Sequence, residues 1–166
     1  MMKTPEISVL MKSSESQANP VIIRGHTLLC LQGFRGEGYS PDFIDNMAVI
    51  HTRLQSHPKT RVRVTDSPDL FCAACPNLKE SEPVGCTLRG PDFEQHIVSQ
   101  DRQVLDLLGL RVGQEITWAE VLQRIGSRAR GEMLDGICGD CQWLSLGYCK
   151  EGIERLRAAT DSSLIT

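Results

Sequence analysis

The sequence predicts a mainly α-helical protein with small α+β content, in which short helices carry two cysteine-rich metal-binding loops. Three observations carry that expectation. Apolar residues recur at three- and four-residue spacing in several segments, capping signals precede some of them, and a C-x2-C pair occurs twice in turn-rich stretches. The chain has 166 residues, 40% of them hydrophobic and 23% charged, a globular composition. At that length about two thirds of the extended-chain surface can be buried, so folding needs no staples.

Residues 1–20, rich in Ser, Gln, Asn and Lys, read as a flexible tail ending in Pro20. The single cysteine-rich domain is expected over 21–160, and 161–166 read as a C-terminal tail. Val21-Ile22-Ile23 followed by Arg24 reads as a short strand, and His26 to Phe34 as a short helix packed through Leu28, Leu29 and Leu31. Gly33, Gly36 and Gly38 then bend the chain. Ser40 and Pro41 are a capping hydroxyl and a first-turn proline. Phe43, Met47, Ile50 and Leu54 follow as an apolar stripe that stops before Pro58. Arg61-Val62-Arg63-Val64-Thr65 alternates as a half-buried strand does.

Asp66 to Arg89 carries three prolines and three cysteines but few large apolar residues. Either something other than apolar packing orders it, or it is mobile. A helix is expected over 92–108, with a possible break near Gln100 and a stop at Gly109. Thr117 and Glu120 match a capping box, with Trp118, Val121, Leu122 and Ile125 on one face beyond it. A last helix is expected over 151–159.

The net charge of -3 supplies no general pull toward nucleic acid. No apolar run approaches the roughly 20 residues of a membrane span, and no secretory signal is evident near the start. A cytoplasmic, reducing compartment follows as the expectation. There, seven cysteines are read first as metal ligands rather than as disulfides.

The first group is Cys72-x2-Cys75-Pro76 with Cys86 eleven residues on, and the second is Cys138-x2-Cys141 with Cys149 eight residues on. A two-residue gap lets one tight turn aim two sulfurs at one centre, and the next loop brings a third. Cys30 completes a four-thiolate set with Cys72, Cys75 and Cys86. That leaves Cys138, Cys141 and Cys149 as a second or auxiliary set. A rival allocation joins Cys72, Cys75, Cys138 and Cys141. His26 lies four residues before Cys30, on one helical face with it, and is a possible additional ligand. Each of these also has a plainer reading: a core cysteine for Cys30, a disulfide or structural pair for each C-x2-C, a hydrogen-bonding histidine for His26. Thiolate-rich sets suit zinc and iron–sulfur centres alike, and Cys75-Pro76 is a modest hint toward iron. Gly36, Gly38 and Tyr39 are a possible ligand loop, and Trp143 could shield a cluster from water. Arg124, Arg128 and Arg130 read as a solvated helix end. No catalytic residue is picked out, and the chain reads as a binding protein rather than an enzyme by itself.

The stretches Arg24-Gly25-His26-Thr27-Leu28-Leu29-Cys30 and Gly33-Phe34-Arg35-Gly36-Glu37-Gly38-Tyr39-Ser40 resemble domain-of-unknown-function family 1284. So do Asn46-Met47, Cys72/Cys75-Pro76, Cys86, the Val104–Leu110 segment, Trp118, and Cys138-x2-Cys141-Gln142-Trp143 with Gly147 and Cys149. The family comprises small bacterial and archaeal proteins described as iron–sulfur binding, and usually has a second histidine where this chain has Thr27. The resemblance implies iron–sulfur cluster binding and supplies no reaction; a 4Fe-4S protein of electron transfer or redox sensing, with a redox or assembly partner protein, is the leading expectation. A structural zinc module for protein interaction and a thiol redox enzyme are the alternatives.

Overall fold

The structure, a computed structural model, describes residues 19–165, with side chains as far as Asp161. The expected N-terminal tail therefore lies, as far as residue 18, outside the described residues.

β1 (Val21–Arg24) runs directly into α1 (Gly25–Cys30). α2 (Pro41–Ser56) starts as its sequence predicts, with the Ser40 hydroxyl accepting from the Phe43 amide and proline in the first turn. Its face of Phe43, Met47 and Leu54 is buried. β2 (Arg61–Thr65) buries Val62 and Val64 and exposes Arg61 and Arg63, following its alternation. It pairs in parallel with β1, Val21 opposite Val62 and Arg24 opposite Thr65. On its other edge it pairs antiparallel with β5 (Glu115–Thr117), Arg61 opposite Thr117. The sheet order is thus β1-β2-β5.

α3 (Phe93–Leu108) is continuous through Gln100 and ends at Gly109 in the left-handed conformation, φ 68°. Arg124 donates to the carbonyls of Leu108 and Gly109. It caps the open end of α3, and the basic run is more than a solvated helix end. α4 (Trp118–Arg128) carries the full capping box, with Thr117 and Glu120 bonding each other's backbone. After the short α5 (Leu134–Ile137), α6 runs from Tyr148 to Ile165. It begins earlier and ends later than the 151–159 expected, continuing through residues read as a tail. α4 packs on α6, and α1 packs on α3. The core between sheet and helices is filled by Ile23, Leu28, Leu54, Val64, Leu105, Trp118 and Ile125, all with 2% exposure or less.

Mainly α with some β is thus the architecture, but the two cysteine segments are not metal-binding loops. Among the described residues no group of three or more His, Cys, Asp or Glu side chains is placed to hold a metal ion. Polar hydrogen bonds order the first segment instead. Its Cys72–Ala74 turn follows Asp69, and Leu78–Lys79 (β3) and Gly85–Cys86 (β4) form a small antiparallel ribbon beyond it.

Candidate functional site: a thiol-lined cavity over a buried ion cluster

Arg24 stands at the junction of β1 and α1, and its side chain is 1% exposed. A buried guanidinium must be paired and hydrogen-bonded, and α3 supplies both partners. Asp101 accepts from Nε at 2.7 Å, and Glu94 from Nη1 at 3.1 Å and Nη2 at 2.8 Å. Glu94 and Asp101 lie seven residues apart, two turns along one face, so both carboxylates point the same way. Burial works against the Arg24 charge, and hydrogen bonding from Glu94, then Asp101, more than offsets it, raising its pKa.

Asp101 is itself fully buried. Besides Arg24 it accepts from the His26 amide at 2.9 Å and holds His26 Nδ1 at 2.6 Å. A carboxylate offers only lone pairs, so Nδ1 carries the hydrogen in this pair, and Nε2 is the ring nitrogen that Asp101 does not hold. This approach depends on Gly25. A Cβ there would run into the Asp101 backbone carbonyl, so α1 could not lie so close to α3.

Asp69, 7% exposed, ties the same junction to the first cysteine segment. One oxygen accepts the Arg24 amide at 2.9 Å, and the other accepts the Phe71 amide at 2.9 Å and the Cys72 amide at 3.0 Å. Three amide donors on one carboxylate set the turn that carries Cys72 and Cys75. Arg24 Nη1 also lies 3.7 Å from Cys72 Sγ, and Glu94 takes the Cys86 amide at 2.9 Å.

The second segment is placed by other contacts. Gln100 of α3 donates to the Ile137 carbonyl at 3.0 Å and also meets the Cys138 thiol. Gly33 lets the turn after α1 lie against the Cys149 backbone, a space any Cβ would fill. Tyr39 meets Trp143 at a tilt with ring centroids 4.4 Å apart, and Phe43 edge-on at 5.4 Å. Arg35 lies 4.1 Å over the Tyr148 ring and pairs with Glu151.

Around these anchors opens a cavity of about 150 Å3, and all seven cysteines line it together with Arg24 and His26. The cysteines singled out in the sequence thus lie around one cavity, but the metal assigned to them is contradicted among the described residues. Neither the Cys30, Cys72, Cys75, Cys86 set nor its rival converges on a point. Zinc–sulfur bonds of about 2.3 Å would require that, and among the described residues no group of three or more such side chains is so placed. The described cysteines are all free thiols, several held by protein donors: Cys75 by Asn77, Cys86 by the Leu88 amide. The iron–sulfur cluster, the zinc module and the functions built on them are therefore set aside, with the finding just given as the reason. Trp143 walls the cavity through Tyr39 rather than shielding a cluster. Tyr39 reaches the lining, whereas Gly36 and Gly38 do not.

Burial pushes the thiols up. Cys72 reaches about 12, burial first and the Asp69 charge second. Cys138 also reaches about 12, through burial and then the neighbouring Cys141 and Cys149. Cys149 reaches about 11, through burial, Cys141 and Glu37. Cys30, Cys75 and Cys86 rise for the same leading reason. At neutral pH these are thiols rather than thiolates, and a neutral thiol behaves as a small polarisable hydrophobe with a weak donor. The cavity therefore combines a sulfur-rich, largely apolar wall with polar side chains that include Arg24, His26, Glu37 and His96.

Sequence reasoning missed Glu94, Asp101 and Asp69. A signal for the first two was present. Positions 94, 97, 101, 104 and 108 form one helical face, and two acids in such an apolar stripe ask for a buried cation.

No curated protein and no solved structure matches the chain. Residues 38–147, well over half of the chain, match the family described as "Protein of unknown function (DUF1284)". The chain is a member of the DUF1284 family.

Proposed function

We propose that the protein binds a small, largely apolar molecule in the cysteine-lined cavity, with the His26 end meeting the molecule's polar group. One observation carries the reading: all seven cysteines, His26 and several aromatic side chains line a single space of about 150 Å3. An apolar cavity of about that size holds a molecule such as benzene, and ligand sites are typically apolar with a few placed polar groups. The raised thiols support it further, since they add no charge for a bound molecule to meet at neutral pH.

In this reading residues 21–160 act as one binding unit, and Cys30, Cys72, Cys75, Cys86, Cys138, Cys141 and Cys149 serve as wall. Tyr39 and Trp143 supply an aromatic side. A cytoplasmic location fits it, because a reducing compartment keeps free thiols free. A partner protein, expected from the sequence for redox or assembly, would here deliver or collect the bound molecule.

The test is titration with anisole and phenol, followed by amide shifts in two-dimensional NMR. Saturable shifts confined to the lining residues, abolished by filling the cavity with Cys30→Phe, support the reading. Absent shifts, or shifts scattered over the surface in wild type and variant alike, count against it.

A further inference from the structure

The ion cluster under the cavity holds more than binding requires. His26 is 22% exposed, and one ring nitrogen is fixed on a carboxylate that is fully buried. Asp101 grips the residue twice, through the backbone amide and through Nδ1. The ring cannot turn without breaking a buried charge-assisted hydrogen bond. With Nδ1 committed as a donor, Nε2 is the atom left to act in the cavity that His26 lines. A carboxylate that sets the tautomer and then stabilises the imidazolium is the arrangement used in general-base histidines.

Charge counting points the same way. Arg24 faces both Glu94 and Asp101, one cation against two anions. An imidazolium formed at His26 brings the four groups to zero. Arg24 itself is spent on the two carboxylates and Cys72, and Asp101 and Glu94 are engaged by it, which leaves the His26 ring as the group of this cluster with a nitrogen not held by Asp101.

We infer that the site ionises the hydroxyl of a small phenol- or enol-type molecule, with His26 as general base. This rests on the binding reading above. In the step, the ligand O–H bond breaks and its electron pair stays on oxygen. The proton forms a new bond to His26 Nε2, and no oxidant, reductant or further reactant is consumed. The product is an imidazolium–phenolate pair, its cation held by Asp101 and its anion beside the weak S–H donors of the wall.

The probes are 4-nitrophenol, whose anion absorbs visibly, and 4-nitroanisole, which has the same shape but no proton to give. In neutral buffer the wild-type protein should raise the anion-to-neutral ratio of bound 4-nitrophenol about tenfold over buffer, one pKa unit's worth. His26→Gln should remove the rise in the 4-nitrophenol that still binds, read as the anion-to-neutral ratio at saturation, with circular dichroism checking the fold because the variant also alters the contact to Asp101. His26→Asn, a second polar replacement able to donate to Asp101, should do the same, so that the loss does not rest on one variant's fold. If wild type binds 4-nitroanisole yet leaves 4-nitrophenol neutral, or if ionisation survives in both variants, the general-base inference is overturned while the binding reading stands. If neither probe binds, both fall together.

Discussion

The carboxylate of Asp101 holds His26 Nδ1 at 2.6 Å through one oxygen and Arg24 Nε at 2.7 Å through the other, entirely out of solvent. One side chain on α3 therefore fixes both the end of β1 and the start of α1. Breaking a buried pair from one side leaves an uncompensated charge and typically costs about 3–5 kcal/mol. Asp101→Ala should lose about that much in urea unfolding. The double variant Arg24→Met/Asp101→Leu should recover a large part of it, because no charge is then left stranded.

The Asp69 carboxylate should matter to reactivity as well as to stability. Asp69→Ala removes the acceptor for three amides at once and is expected to cost about 2 kcal/mol. With the turn loosened, Cys72 and Cys75 should label with iodoacetamide faster than in wild type. Peptide mapping after a timed alkylation at neutral pH checks both sites, with Cys149 as an internal reference.

Alkaline pH should weaken the fold through the thiols. Their folded-state values lie above the ordinary value of 9.0, about 12 for Cys72 and Cys138 and about 11 for Cys149. A group raised on folding lends stability that is complete below its unfolded value and is lost as pH climbs through its folded value. Stability should thus hold to about pH 9 and fall between there and about pH 12, at about 1.4 kcal/mol per pH unit for each thiol still protonated in the fold. Urea midpoints across that range should show the fall, and Cys138→Ala should make it shallower.

Gly25 should tolerate no side chain. Gly25→Ala drives a methyl into the Asp101 carbonyl, and overpacking of that kind costs about 1–3 kcal/mol. Thr117→Ala, at the capping box away from the cavity, should cost about 1 kcal/mol and leave anisole binding unchanged. Thermal melts of the two variants with and without anisole separate damage at the site from damage elsewhere.

Much of the helical frame is legible because its signals are local. Ser40 with Pro41, Thr117 with Glu120, and Gly109 each act within one turn of chain, and each does in the fold what its sequence predicts. β3 and β4 are two residues each, too short for any periodicity to reveal. α6 extends past its expected limits because packing on α4, rather than an end signal, decides its length. The cysteine spacings do identify the residues around the cavity. Their task was misread because spacing along a chain carries no distance between sulfurs, and because Asp69, Glu94 and Gln100 organise those segments from positions remote in sequence.

Native mass spectrometry of protein isolated without oxygen distinguishes a cavity that takes a small organic molecule from a metal centre. The expected mass is that of the metal-free chain with all seven cysteines reduced, shifting by one equivalent when anisole or phenol is added. A species carrying stoichiometric metal, or metal with acid-labile sulfide, that gives no such shift would contradict it.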